Sequence, residues 1–135
     1  MLDTLLSPFS FAQIAVCALL AITFIQSGLD KAFNFADNLS WLQSHFSKTF
    51  LKNWVQFLLI TITFIEVIAG FLALAGGVQI LLSGTKSLAI YAAQLSALSI
   101  LMLFFGQRIA KDYAGAAALI PYFMLSLAAV ILFTF

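Results

Sequence analysis

Glu66 is the residue of this 135-residue chain most in need of a chemical explanation. It is the only charged side chain between positions 53 and 85, inside an otherwise apolar run. An ionisable group at the centre of a bilayer costs about 2.5–3.5 kcal/mol for the worst residues on insertion scales, so it requires a partner, a proton or a function. Gln94 is the second polar group at depth. If helices over 54–75 and 87–107 run antiparallel through a turn at 76–86, the two side chains lie at about the same level. A hydrogen bond between them is either glue for a helix bundle or the floor of a cavity that holds a lipid-soluble head group, such as a quinone, or passes a proton. Cys17, Met124 and Tyr122 fall near the same layer. Glu66, Gln94 and Tyr122 are therefore the candidate cofactor-binding set.

The cations form a second group. Lys31, in SGLDKAF, is expected at the end of a membrane helix, where it snorkels to lipid phosphate or anchors an anionic head group or a partner. Arg108 and Lys111, in GQRIAKDY, crowd one membrane face, either as topology charge or as an anion or partner site at the mouth of the bundle. Lys31, Arg108 and Lys111 are the candidate interface set.

Cys17 is the only cysteine and His45 the only histidine. The chain alone cannot form an internal disulfide, a thiol relay, a bis-histidine haem or a zinc site. No catalytic residue and no metal ligand is assigned. Cys17 reads as buried packing and His45 as a solvated interfacial residue, with a proton relay as its sharper alternative.

These residues must be positioned by membrane helices. Hydrophobic residues make up 64% of the chain and charged ones 8%, and the mean hydropathy of +1.12 marks an integral membrane protein. Charges are absent from 4–29, 87–107 and 113–135. With about 20 apolar residues needed per crossing, the chain accommodates four spans, at about 9–28, 54–75, 87–107 and 114–135, and nothing remains for a soluble domain. The expected fold is an all-α, four-helix antiparallel transmembrane bundle forming one domain. The N-terminus reads as a span rather than a cleavable signal, because its first charge is Asp3 and its apolar run is of spanning length. A net charge of +1 predicts no nucleic-acid partner, which requires a clustered basic face.

Finer features refine this frame. Ser7 and Pro8 suit a helix start. In the first loop, Leu39, Leu42, Phe46 and Phe50 recur at three- and four-residue steps, predicting an amphipathic helix at about 38–50 lying in the interface, with Trp41 at headgroup depth. Ala69, Ala73 and Gly77 repeat every fourth residue, as do Ala89, Ala93 and Ala97, so the second and third spans are expected to pack closely. Pro121 frees the carbonyl of Ala117 and is expected to kink the last span. Lys31, Lys48, Lys52, Arg108 and Lys111 fall on one side and only Lys86 on the other. The positive-inside rule then puts the first and third loops in the cytoplasm and both termini outside.

The order of Gly28 and Lys31 in SGLDK, Glu66 and Gly70 in EVIAG, and Gly76 and Gly77 in ALAGG, with four spans in a chain of this size, resembles the DoxX family of small bacterial membrane proteins. The resemblance covers essentially the whole chain. It implies a four-helix bundle in the bacterial cytoplasmic membrane and a link to redox complexes, some members being small subunits of quinone oxidoreductases. Distant relatives with the vitamin K epoxide reductase bundle act through cysteine pairs, which this sequence lacks. Two functions follow: a non-catalytic accessory subunit of a quinone-linked redox complex, whose partner supplies the electrons, or a membrane anchor or assembly subunit without a redox role. The expected partners are the lipid bilayer and another membrane protein or further copies of the chain.

Overall fold

The computed structural model describes residues 2–135. Its elements are a one-turn helix α1 (Leu2–Leu6), α2 (Pro8–Phe33), α3 (Phe35–His45), α4 (Val55–Ser83), α5 (Ser87–Ile109) and α6 (Tyr113–Phe133). The helices α2, α4, α5 and α6 are long and apolar enough to cross a membrane, and they pack against each other as an all-α bundle. α2 lies along α4, α4 along α5 and α5 along α6. At 1.5 Å per residue, α4 is about 43 Å long, more than a hydrocarbon core of about 30 Å, so its ends reach the headgroup layers or the helix tilts.

Three of the four spans run longer than the sequence predicts, while α6 ends at Phe133, short of the expected 135. Helix α2 continues to Phe33, and α4 continues through Gly76 and Gly77 to Ser83. Glycines inside a membrane helix do not end it when a neighbouring helix packs on them, and Gly76 lies against the backbone of Ala89. The true stop is Gly84, whose φ of 75° is the left-handed conformation that closes a helix C-terminus. Gln79 then caps the next span, its Oε1 accepting from the backbone N–H of Leu88 at 3.2 Å.

Helices in lipid gain little from burying apolar surface against each other, so close packing of small residues holds the seams. Ala69 and Ala73 of α4 and Ala89, Ala92 and Ala93 of α5 have no exposed surface. At the end nearest the chain termini, α2 and α6 are joined by Gln13, a buried residue whose Nε2 donates to the carbonyl of Leu132 at 3.0 Å. Large apolar side chains such as Ile22, Phe57, Phe64 and Leu82 point outward, the surface expected against acyl chains.

Candidate functional site

Glu66 is 1% exposed and turned into the bundle, and its partner is Lys31 rather than Gln94. Lys31 Nζ donates to Glu66 Oε2 at 3.1 Å and to Ser27 Oγ at 2.8 Å. The expected snorkelling of Lys31 outward is therefore corrected: the side chain runs back along α2. Helical Cα–Cβ bonds tilt towards the N-terminus, so a lysine in the last turn of α2 reaches naturally over Ser27, one turn earlier, and towards the membrane centre.

A tight crossing holds the two groups together. A Cβ placed on Gly70 would lie 2.6 Å from the backbone nitrogen of Ile25, and one placed on Gly28 would lie 3.0 Å from the backbone nitrogen of Val67. The first is closer than real Cβ atoms stand to backbone, and the second is tighter than nine in ten such contacts. The glycines of SGLDK and EVIAG thus meet at one contact between α2 and α4, with Lys31 and Glu66 bridging beside it.

The Glu66–Gln94 hydrogen bond expected from depth does not form. Gln94 belongs to an outward stripe with Tyr91, Leu98, Leu101 and Phe105, while Ala89, Ala92, Ala93 and Ser96 turn inward. The level is also different: Gly76 against Ala89 sets Glu66 opposite about residue 99, more than a turn beyond Gln94. Tyr122 is 48% exposed on the outer side of α6. The structure therefore does not bring Glu66, Gln94 and Tyr122 together. Pro121 also faces outward, within a helix that continues to Phe133.

A cavity of about 770 Å³ opens on the side of the first and third loops. Val55, Leu58, Leu59 and Ile62 of α4 line it at helical spacing, opposite Leu103 of α5 and Leu119 of α6. Lys31 lines the inner end, near Glu66. Trp41, Leu42 and Phe46 roof it from α3 and the turn that follows, and Gln107 stands at its outer edge. The volume falls in the range of small-molecule sites, and a mostly apolar wall with few polar groups is their usual chemistry.

The roof is tied down by contacts of which the helical spacing of Trp41 and His45 signalled only the stacking of their two rings. His45 Nε2 lies 2.7 Å from Gln107 Oε1 and 3.8 Å from Asp112 Oδ2, its ring stacks on Trp41 at 4.6 Å, and Phe46 packs against Gly106. His45 is thus half-buried rather than freely solvated, and the GQRIAKDY segment acquires a structural role in holding α3. Asp112 also caps α6 by accepting from the N–H of Gly115 at 2.9 Å. Arg108 sits over the ring of Tyr113 at 4.5 Å, and Lys111 is an exposed turn residue at φ 60°. Of the proposed interface cations, Lys31 is therefore internal, while Arg108 and Lys111 remain on the surface.

Helix α3 runs over 35–45, earlier than the expected 38–50, and has no buried residue of its own. Replacing His45 by alanine is expected to speed amide exchange across α3 by about tenfold, the worth of one hydrogen bond of about 1 kcal/mol with its ring contacts. Gln107→Ala should do the same while α4 and α5 keep their protection. Unchanged exchange in both variants, followed by mass spectrometry in lipid nanodiscs, would show that the tie does not hold the roof.

No family model, curated protein or solved structure matches this chain.

Proposed function

We propose that this chain is a non-catalytic membrane subunit that holds a quinone in the cavity beneath α3 for a redox partner. The observation that carries the reading is the single ammonium, Lys31, on the wall of a mostly apolar cavity of about 770 Å³ whose other polar side chains are the amides of Asn38 and Gln107 and the indole of Trp41. An ammonium offers N–H donors to a carbonyl oxygen, and the wall formed by α4, α5 and α6 suits a hydrocarbon tail. A bound quinone supplies the capacity to carry electrons. The residues of this chain supply only binding: Lys31 donates to the head, Glu66 holds Lys31 in place, and Trp41, Leu42 and Phe46 cover the cavity from the side of α3. The resemblance to the DoxX family supports the same reading, together with a place in the bacterial cytoplasmic membrane, and the charge bias of the loops supports a cytoplasmic side for the first and third. The partner is another membrane protein or further copies of the chain.

An anchor or assembly subunit is the alternative, and it has less to recommend it. It draws on small-residue helix faces as docking surfaces, and those faces are consumed between α4 and α5. Extraction in mild detergent separates the two. Protein carrying ubiquinone or menaquinone is expected, with the quinone lost in Lys31→Ala and in Leu58→Trp, which fills the cavity without touching the ion pair. A preparation free of quinone that still retains a membrane-protein partner in both variants would favour the anchor.

A further inference from the structure

The hydrogen bonds of Lys31 restrict what the cavity accepts more closely than its shape does. A lysine ammonium has three N–H groups and no acceptor. One is given to Ser27 Oγ at 2.8 Å and one to Glu66 Oε2 at 3.1 Å. Among the described residues nothing takes the third. The side chain retains 18% exposure, and Lys31 lines the cavity. The charge of the ammonium is meanwhile already balanced by Glu66, whose carboxylate is buried beside it.

We infer that the site selects amphiphiles whose head is an uncharged hydrogen-bond acceptor, such as a ketone, quinone or ester carbonyl, and rejects anionic heads; this deepens the reading of the cavity as a ligand site and rests on it. A neutral acceptor takes the third N–H while both existing bonds persist. An anionic head of equal length brings a second negative charge to a single ammonium in a region of low dielectric. Either it displaces Glu66, leaving a buried carboxylate unpaired, or the cluster carries a net negative charge; both outcomes are costly. Lys31 alone would be an anion site. Glu66 converts it into a carbonyl site.

The consequence is a reversal that no account based on cavity shape predicts. In Glu66→Gln, the ammonium loses its counterion while the volume and the position of an amide oxygen are kept, so an anionic head becomes the preferred one. The test uses the full chain in nanodiscs and reads binding directly by native mass spectrometry. Methyl hexadecanoate, an uncharged ester, competes with hexadecanesulfonate, a permanent anion with a tail of similar length. The wild-type chain is expected to favour the ester by about tenfold or more, and Glu66→Gln to favour the sulfonate by a similar factor, each factor of ten being about 1.4 kcal/mol.

Lys31→Gln/Glu66→Gln, which removes both charges, covers the case in which the single variant does not fold. It should retain the ester and continue to reject the sulfonate. Wild-type protein that takes the sulfonate as well as the ester, or that takes neither, would overturn the inference, as would an unchanged ratio in Glu66→Gln. Wild-type protein that selects the ester yet carries no quinone would sustain it while removing the redox reading.

Discussion

Lys31→Met is expected to destabilise the folded chain by about 3–5 kcal/mol, the usual consequence of removing one partner from a buried ion pair. The loss arises less from the missing attraction than from what remains. Glu66 is 1% exposed and its carboxylate has no other hydrogen-bond donor among the described residues. A methionine is close in volume to lysine, so the packing of α2 on α4 is largely kept and the electrostatic effect is isolated. The double variant Lys31→Met/Glu66→Met should recover most of the loss and unfold within about 1–2 kcal/mol of the natural chain, because a well-packed apolar pair replaces a buried ionic one at little net cost. Reversible unfolding in mixed micelles, run as a double-mutant cycle, measures both. A Lys31→Met protein as stable as its parent would mean that Lys31 and Glu66 do not form the pair on which the site depends.

How far such a site can be read from sequence depends on which coordinate is asked for. The spans were legible because each is a long run interrupted by few charges, and bilayer thickness sets the length required. That Glu66 faces the bundle was also legible, since lipid would not tolerate it. Its partner was not. Depth along a helix can be counted, but azimuth cannot when apolar residues occupy every face, and Gln94 was aligned by depth alone. Even that depth depended on ending the second span at 75, whereas Gly76 and Gly77 continue it to Ser83.

The signal for Lys31 was present in SGLDK. Ser27 and Lys31 are four apart on one helix, and a side chain near a helix C-terminus leans back along it. The bond from His45 to Gln107 spans 62 positions and has no local pattern to announce it. Its only trace was the spacing of Trp41 and His45, which put the two rings together without naming what they rest on. The cavity itself follows from this: α3 is held over the bundle by the last turns of α5 and by Asp112 after it rather than by burial of its own residues, so the space beneath it belongs to no single helix face.

Gly70→Leu is expected to be strongly destabilising, and even Gly70→Ala should cost about 1–3 kcal/mol, the range of overpacking. Steric conflict in most protein interiors is relieved by a neighbouring side chain changing rotamer. Here the Cβ of an alanine would lie 2.6 Å from the backbone nitrogen of Ile25, so relief requires α2 and α4 to move apart as whole helices. That movement would also act on the ion pair, since Lys31 reaches Glu66 across the same crossing, and at 3.1 Å a separation of about 1 Å exceeds hydrogen-bond range. Destabilisation by Gly70→Ala should therefore be smaller in a Lys31→Met/Glu66→Met background, which has no bridge to lose. The coupling between sites this close is expected at about 0.5–3 kcal/mol, measurable by the same unfolding assay. Additive effects would show that the glycine crossing and the bridge are independent. Coupled effects would mean that close approach of two backbones is what allows a lysine near the end of one span to neutralise a carboxylate well inside the next.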